Sequence, residues 1–515
     1  MLTKLPFHVF ENRIFYYLNG QDLYNISMAN KELRNRMKPL QTLAKFRVKP
    51  LDIWPVLHSS FKGEFPTDAA LSTPELLEAL SEISKIEWTF PVIAVDSPNY
   101  PVLYNYLPKA NSVHVTVTDK DNTAELSNAF ERDMVTHLTI RSENGISAER
   151  MDAILSNLNK MSQLVELNIL GKASTCPAVS LQIYLPQSNV EFLNIVYSTV
   201  NSDDISTLAT ALPTTKIKEL DLHANMVGDA GSLALASVLP KTEIEWLNLS
   251  NNQIGIEGIK ALAAALPHCK LKTLDLSGNG LFGSRLDEIL KVIHLSKLET
   301  LEIFDYTDST TMDLLNKNLP LSNLKSLVLG MESEYIPDFL KAASETKLED
   351  LTIHTSDGDS IAIKIAENIH YFKVRRFALH NASLLLHDAA ERFIQSLKET
   401  DLEELDLHEN PFGNHGLIEL GKVLPFTNIK KLIVYACEHS DRGLLEFSKY
   451  IKDSKLEHLD VSSDVISGSG VLKFLQNLNP SLRYLRIQHN WNIDKEASLQ
   501  IAQVVRNYPS VKFDY

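Results

Sequence analysis

The chain has 515 residues, 44% apolar and 22% charged, a balance that excludes a disordered chain and supplies material for a large core. Lys and Arg number 50 against 65 Asp and Glu, a formal net charge of −15, so no nucleic-acid partner is expected. No apolar run approaches the roughly 18 residues of a membrane helix, no signal-like stretch follows Met1-Leu2-Thr3-Lys4, and Cys176, Cys269 and Cys437 are too scattered for a disulfide framework or a CxxC metal site. The expectation is an acidic, soluble protein of a reducing compartment, cytoplasmic or nuclear, with no membrane contact.

In chain order, the residues after Leu5-Pro6, through Ile14 to Leu18, predict an amphipathic helix that Asn19-Gly20 breaks. Asp22-Leu23 and Ile26 fall in a second short helix with an acidic start, and Asn30-Lys31-Glu32-Leu33-Arg34 in a third. Helices spanning only residues 1–40 bury too little surface to stand alone, so apolar residues are left for a partner or for the next domain. Pro39, Pro50, Pro55 and Pro66 punctuate the segment that follows. Thr73-Pro74-Glu75 then starts a helix over residues 76–84, and a non-standard first strand is predicted within 87–95. Residues 41–109 thus read as linker and N-terminal cap.

From residue 110 onward one frame recurs. Leu271-Lys272-Thr273-Leu274-Asp275-Leu276-Ser277-Gly278-Asn279 carries apolar residues at places 1, 4 and 6 and Asn at place 9. Copies start at Leu164, Val190, Ile217, Ile244, Leu298, Leu324, Leu348, Val374, Leu402, Ile429, Leu456 and Leu482, with weaker ones at Ala110 and Val135. The mean spacing of these fifteen units is about 27 residues. Places 4 and 6 point to one face of a short strand, and places 3, 5 and 7 to the other. A helix follows each strand: Ile259, Leu262, Ala263 and Leu266 recur at helical spacing before Pro267. No unit can bury its apolar face alone, so neighbours must stack. The frame and its Leu-Pro endings resemble the ribonuclease-inhibitor type of leucine-rich repeat over residues 110–515. That resemblance implies an α/β solenoid of horseshoe form with helices outside and strands lining a concave face. Asn225, Asn252, Asn279, Asn410 and Asn490 at place 9 are expected to bond turn backbone. Units from Leu298 to Val374 have Tyr306, Glu332, Ser356 and Ala382 instead, and should be less regular. Residues 508–515 read as a closing strand.

The strand face opposite the helices is where repeat proteins bind. Glu166, Glu219, Asp221, Asp275 and Glu302 make part of it acidic, which suits a basic segment of a protein partner. Phe192, Trp246, Phe304 and Tyr435 fall on the same face, and Trp246 is the leading hot-spot candidate. His354, His380 and His408 occupy place 7 of consecutive units, with Asp406 beside His408. Such a column could hold zinc or sense pH; the default expectation is a hydrogen-bonded surface ladder with no metal and no cofactor. There is no P-loop, GxSxG or HExxH motif, so no catalytic residue is expected.

The first forty residues resemble an F-box: Leu5-Pro6, then Ile14 and Leu18, then Asp22-Leu23 with Ile26, then Asn30-Lys31 with Leu33-Arg34. His8 stands where an acidic residue is usual, and Leu33 where Trp is common. The resemblance implies a non-catalytic substrate-recognition subunit of a cullin–RING (SCF-type) ubiquitin ligase. Leu5, Pro6, Ile14, Leu18, Leu23 and Ile26 would face the Skp-type adaptor, and the repeats would hold the protein to be ubiquitinated. The alternatives are a repeat scaffold without a ligase link and a regulator resembling Ran GTPase-activating proteins, whose acidic tail is not found here.

Overall fold

The computed structural model describes residues 87–91, 112–118, 135–141, 146–171, 177–382, 384, 387–490 and 492–514. Residues 1–40, with the F-box-like helices, lie outside the described residues. The chain divides into two compact units, Met1–Asn252 and Gln253–Tyr515.

In the first unit the described strands are β1 (Glu87–Pro91), β2 (Ser112–Thr118), β3 (His137–Arg141), β4 (Glu166–Leu170), β5 (Phe192–Val196), β6 (Glu219–Asp221) and β7 (Trp246–Asn248). Each pairs in parallel with the next. Parallel neighbours need a crossover, supplied after β3 to β6 by helices α1 (Ala148–Leu155), α2 (Ala178–Tyr184), α3 (Ser202–Ala211) and α4 (Gly228–Val238).

The second unit runs through β8 (Thr273–Asp275), β9 (Thr300–Tyr306), β10 (Ser326–Gly330), β11 (Asp350–His354), β12 (Arg376–His380), β13 (Glu404–Asp406), β14 (Lys431–Ile433), β15 (His458–Asp460), β16 (Tyr484–Arg486) and β17 (Lys512–Asp514). These strands too are parallel, each beside the next. Helices alternate with them, from Ile256–Ala265 ahead of β8 to Lys495–Val504 ahead of β17.

Register follows the repeat frame. Leu138, Leu167, Leu193, Leu220 and Leu247 face one another at place 4, each at 0% exposure. In the second unit Leu274, Leu301, Leu327, Leu351, Phe377, Leu405, Leu432, Leu459 and Leu485 line up in register in the same way and are buried, and the row ends at the half-buried Phe513. Each fully buried Leu contributes on the order of 1.5–3 kcal/mol by leaving water, which is why this place tolerates so little variation along the chain. Ile259, Leu262, Ala263 and Leu266 are buried as their helical spacing requires. The Leu-Pro endings close as single 3₁₀ turns such as Leu266–His268, where Pro at the second position lacks the N–H needed to continue the helix.

The frame needs one correction. Val115, not Val113, pairs with Leu138, so the weak copy at Ala110 is displaced by two residues. A shift of two keeps every side chain on its face, so alternation alone could not detect it. Upstream, β1 adds a further parallel strand within the segment expected to be a cap.

Most strands stop for a common reason. The residue at place 8 adopts the left-handed conformation at Tyr197, Ala224, Asn251, Gly278, Asn381, Glu409, Ala436, Ser463 and His489. The place-9 side chain then ties down the turn. Asn252 Nδ2 donates to the carbonyls of Leu222 and Ser250 at 2.8 and 2.9 Å, and its Oδ1 accepts the Val227 N–H at 3.2 Å. Asn225 and Asn490 repeat this pattern.

Candidate partner-binding face

The strand face away from the buried Leu rows carries places 3, 5 and 7. In the first unit, place 3 runs His137, Glu166, Phe192, Glu219 and Trp246 on successive strands. Phe192 and Trp246 are half-buried and Glu219 is exposed. His137 Nε2 lies 3.3 Å from Glu166 Oε2. Partial desolvation, and then the Glu166 charge, raise the Glu219 carboxyl above its ordinary value.

Place 5 carries a structural duty that the sequence reading missed. Asp221 Oδ1 accepts the His223 N–H at 2.9 Å, and Asp275 Oδ1 accepts the Ser277 N–H at 2.8 Å. Asn248, Asp406 and Asp460 accept the N–H two residues on in the same way. The shared signal was available: Asp or Asn at place 5 ahead of the place-8 turn is an Asx-turn pattern. Asp221 and Asp275 therefore present one committed oxygen and one that remains for a partner.

The five acidic candidates divide between the units: Glu166, Glu219 and Asp221 in the first, Asp275 and Glu302 in the second. Asp275 and Glu302 are register partners on β8 and β9. Burial, and then the charges of Asp275 and Asp350, push the Glu302 carboxyl up. Most basic side chains on neighbouring strands are already matched. Arg376 lies 3.0 Å from Asp350, Lys431 3.0 Å from Glu404, and Lys325 2.7 Å from Glu299. Among the described residues neither Asp275 nor Glu302 has an ion-pair partner.

At place 7 the second unit builds a continuous column of rings. Phe304, 43% exposed, contacts His354 at 3.6 Å between centroids. His354 meets His380 at 4.7 Å, His380 meets His408 at 3.9 Å, and His408 stacks on Tyr435 at 4.5 Å and 8°. Phe304 reaches His354 across β10 because place 7 there is Gly330. A Cβ on Gly330 would stand 2.9 Å from the Phe304 carbonyl oxygen. The register between β9 and β10 shifts at this point, with Gly330 opposite Tyr306 rather than Phe304. This irregularity re-aims Phe304 onto the column.

Burial, and then the neighbouring His380 and His408, push His354 down to about 3, so it is neutral across the physiological range. Asp406 sits between two imidazoles, with His408 Nδ1 at 2.8 Å and His380 Nε2 at 3.7 Å. Burial would raise the Asp406 carboxyl, but the contacts from His380 and His408 outweigh it and hold the group below the usual carboxylate range. His380, Asp406 and His408 are the described residues whose donor atoms converge closely enough to share one ion. Leu5, Pro6, Ile14, Leu18, Leu23 and Ile26 lie outside the described residues.

A Leucine Rich repeat family model matches residues 244–263, and a second Leucine Rich Repeat model matches residues 270–292. No curated protein matches the chain. Parallel strands alternating with helices at this spacing, together with the two matches, support a leucine-rich-repeat protein with a role in protein interaction. No described helix is long and apolar enough to cross a membrane.

Proposed function

We propose that the chain is a non-catalytic protein-recognition subunit that holds a target on its strand face and presents it to a cullin–RING ubiquitin ligase. The observation that carries the recognition half is the ring column from Phe304 to Tyr435 beside the uncompensated Asp275 and Glu302. Stacked side chains lose little rotamer freedom on binding, and aromatic residues are enriched at hot spots. The acidic pair suits a basic segment of the target. The ligase half rests on the order Leu5-Pro6, Ile14, Leu18, Asp22-Leu23, Ile26 ahead of the repeats. Docking of those residues on a Skp-type adaptor bound to cullin would raise the effective concentration of the target near the ligase, with no chemistry done by this chain. The cytoplasm or nucleus is the setting this reading requires.

The test is capture of purified Skp-type adaptor by the full chain. Wild type should bind, and the double variant Ile14→Asp with Leu18→Asp should not, while circular dichroism shows the repeats still folded. Adaptor binding that survives the double substitution, or its absence from wild type, overturns the ligase half and leaves an interaction scaffold. For the recognition half, Trp246→Ala should weaken capture of a bound target by about 1 kcal/mol or more; unchanged affinity removes Trp246 from the contact set.

A further inference from the structure

We infer that His380, Asp406 and His408 form a binding site for a divalent transition-metal ion of the zinc type on the open face of the second unit. The three residues come from place 7 of β12, place 5 of β13 and the turn just after it. Stacking of β12 on β13 therefore brings His380 to the Asp406–His408 pair. In a tetrahedral zinc site with bonds of about 2.0–2.1 Å, donor atoms lie roughly 3.3 Å apart. The three donor atoms lie within 4.8 Å of one another, with His408 Nδ1 2.8 Å from Asp406 Oδ1 and His380 Nε2 3.7 Å from Asp406 Oδ2, so small side-chain rotations bring them to that spacing. The 3.7 Å separation is too long for a hydrogen bond. His380 Nε2 is thus buried with no hydrogen-bond partner, as is Nδ1 of the neighbouring His354, a residue more than nine-tenths buried. A buried imidazole nitrogen without a partner is costly unless something coordinates it, and an ion held by the three residues would take up His380 Nε2.

The surroundings hold the donors in place. Asp406 Oδ1 accepts the His408 backbone N–H at 3.1 Å, which orients the carboxylate. Tyr435 stacks flat on the His408 ring, and His354 closes the other side of His380. Two imidazoles and one carboxylate are the donor set preferred by zinc and its neighbours rather than by calcium or magnesium. Three protein ligands leave a fourth position for water or for a side chain of a bound target. The site would then add a directional contact to a face that otherwise offers rings and acidic groups.

The experiment uses the full chain without a histidine tag, stripped with chelator and titrated with zinc, and separately with cobalt(II) as a spectroscopic probe. One saturable equivalent of zinc, a tetrahedral cobalt spectrum, and a zinc-dependent rise in the thermal midpoint are expected. His380→Ala and Asp406→Asn should each weaken zinc binding by at least about tenfold, whereas His458→Ala, on β15 outside the cluster, should leave it unchanged. Asp406→Asn preserves shape, so it remains informative should removal of an imidazole loosen the fold. No stoichiometric zinc on wild type, or binding indifferent to both substitutions, overturns the inference. Adaptor binding through residues 1–40 is read out separately and does not depend on this result.

Discussion

Place 9 shows how much can rest on one side chain. Asn fills it where the turn must both donate to carbonyls and accept N–H groups, a pairing that an amide can satisfy. The substitutions found elsewhere solve the same problem differently. Cys437 directs its Sγ to the carbonyls of Leu407 and Tyr435 at 3.2 and 3.3 Å. Asp464 accepts the N–H groups of Cys437 and His439 at 3.0 and 2.9 Å, and its second oxygen lies 3.0 Å from the fully buried His439 Nδ1. Asn252→Ala should therefore cost about 1–3 kcal/mol in denaturant unfolding, because it strands buried backbone groups; a loss within error would show that water replaces the amide. Glu302 makes a pH prediction. Its folded-state carboxyl titrates above the unfolded one, so the stability it contributes is present below the unfolded value of about 4.3 and is lost as pH rises through the folded value. Glu302→Gln should accordingly raise the unfolding midpoint at neutral pH and leave it unchanged near pH 4. An equal gain at both pH values would assign the effect to packing instead.

Strand length follows the turn. Strands β6, β7, β8 and β13 to β16 span places 3 to 5, and all their units carry Asn, Cys or Asp at place 9. Strands β10, β11 and β12, whose units have Glu332, Ser356 and Ala382 there, extend to place 7. Without an Asn, Cys or Asp at place 9 to tie the turn down, backbone pairing runs on to place 7. The irregularity expected for this stretch is thus longer pairing plus the register shift at Leu329 and Gly330. Gly330→Val should cost about 1–3 kcal/mol, since its Cβ would meet the Phe304 backbone, which cannot rotate away. The same variant should disturb the contact between Phe304 and His354. Ala436→Gly tests the left-handed turn: relief of strain at φ 54 should offset the added chain entropy and raise stability by up to about 1 kcal/mol.

For the molecule as a whole, stability sums over neighbouring repeats, so a terminal strand matters beyond its own contacts. Strand β17 pairs with β16, and Tyr484 donates its hydroxyl proton to Asp514 at 3.1 Å. Removing residues 508–515 should lower the midpoint of the second unit and promote association through the uncovered edge of β16. A truncated chain as stable and monomeric as wild type would show that β17 is dispensable. Much of this architecture was readable from the chain alone. The spacing of Leu at places 4 and 6, the Leu-Pro helix ends and the place-9 Asn determine parallel strands alternating with helices, because each reflects a local period that burial enforces. The displaced frame at Ala110 was not readable, since a shift of two leaves the alternation intact. Nor was the double duty of Asp221 and Asp275, or the reach of Phe304 over Gly330 to His354. The convergence of His380, Asp406 and His408 was visible only as a column of like positions. The approach of His380 to the Asp406–His408 pair and its orphaned Nε2 follow from the stacking and register of β12 on β13, and only the tertiary structure decides those.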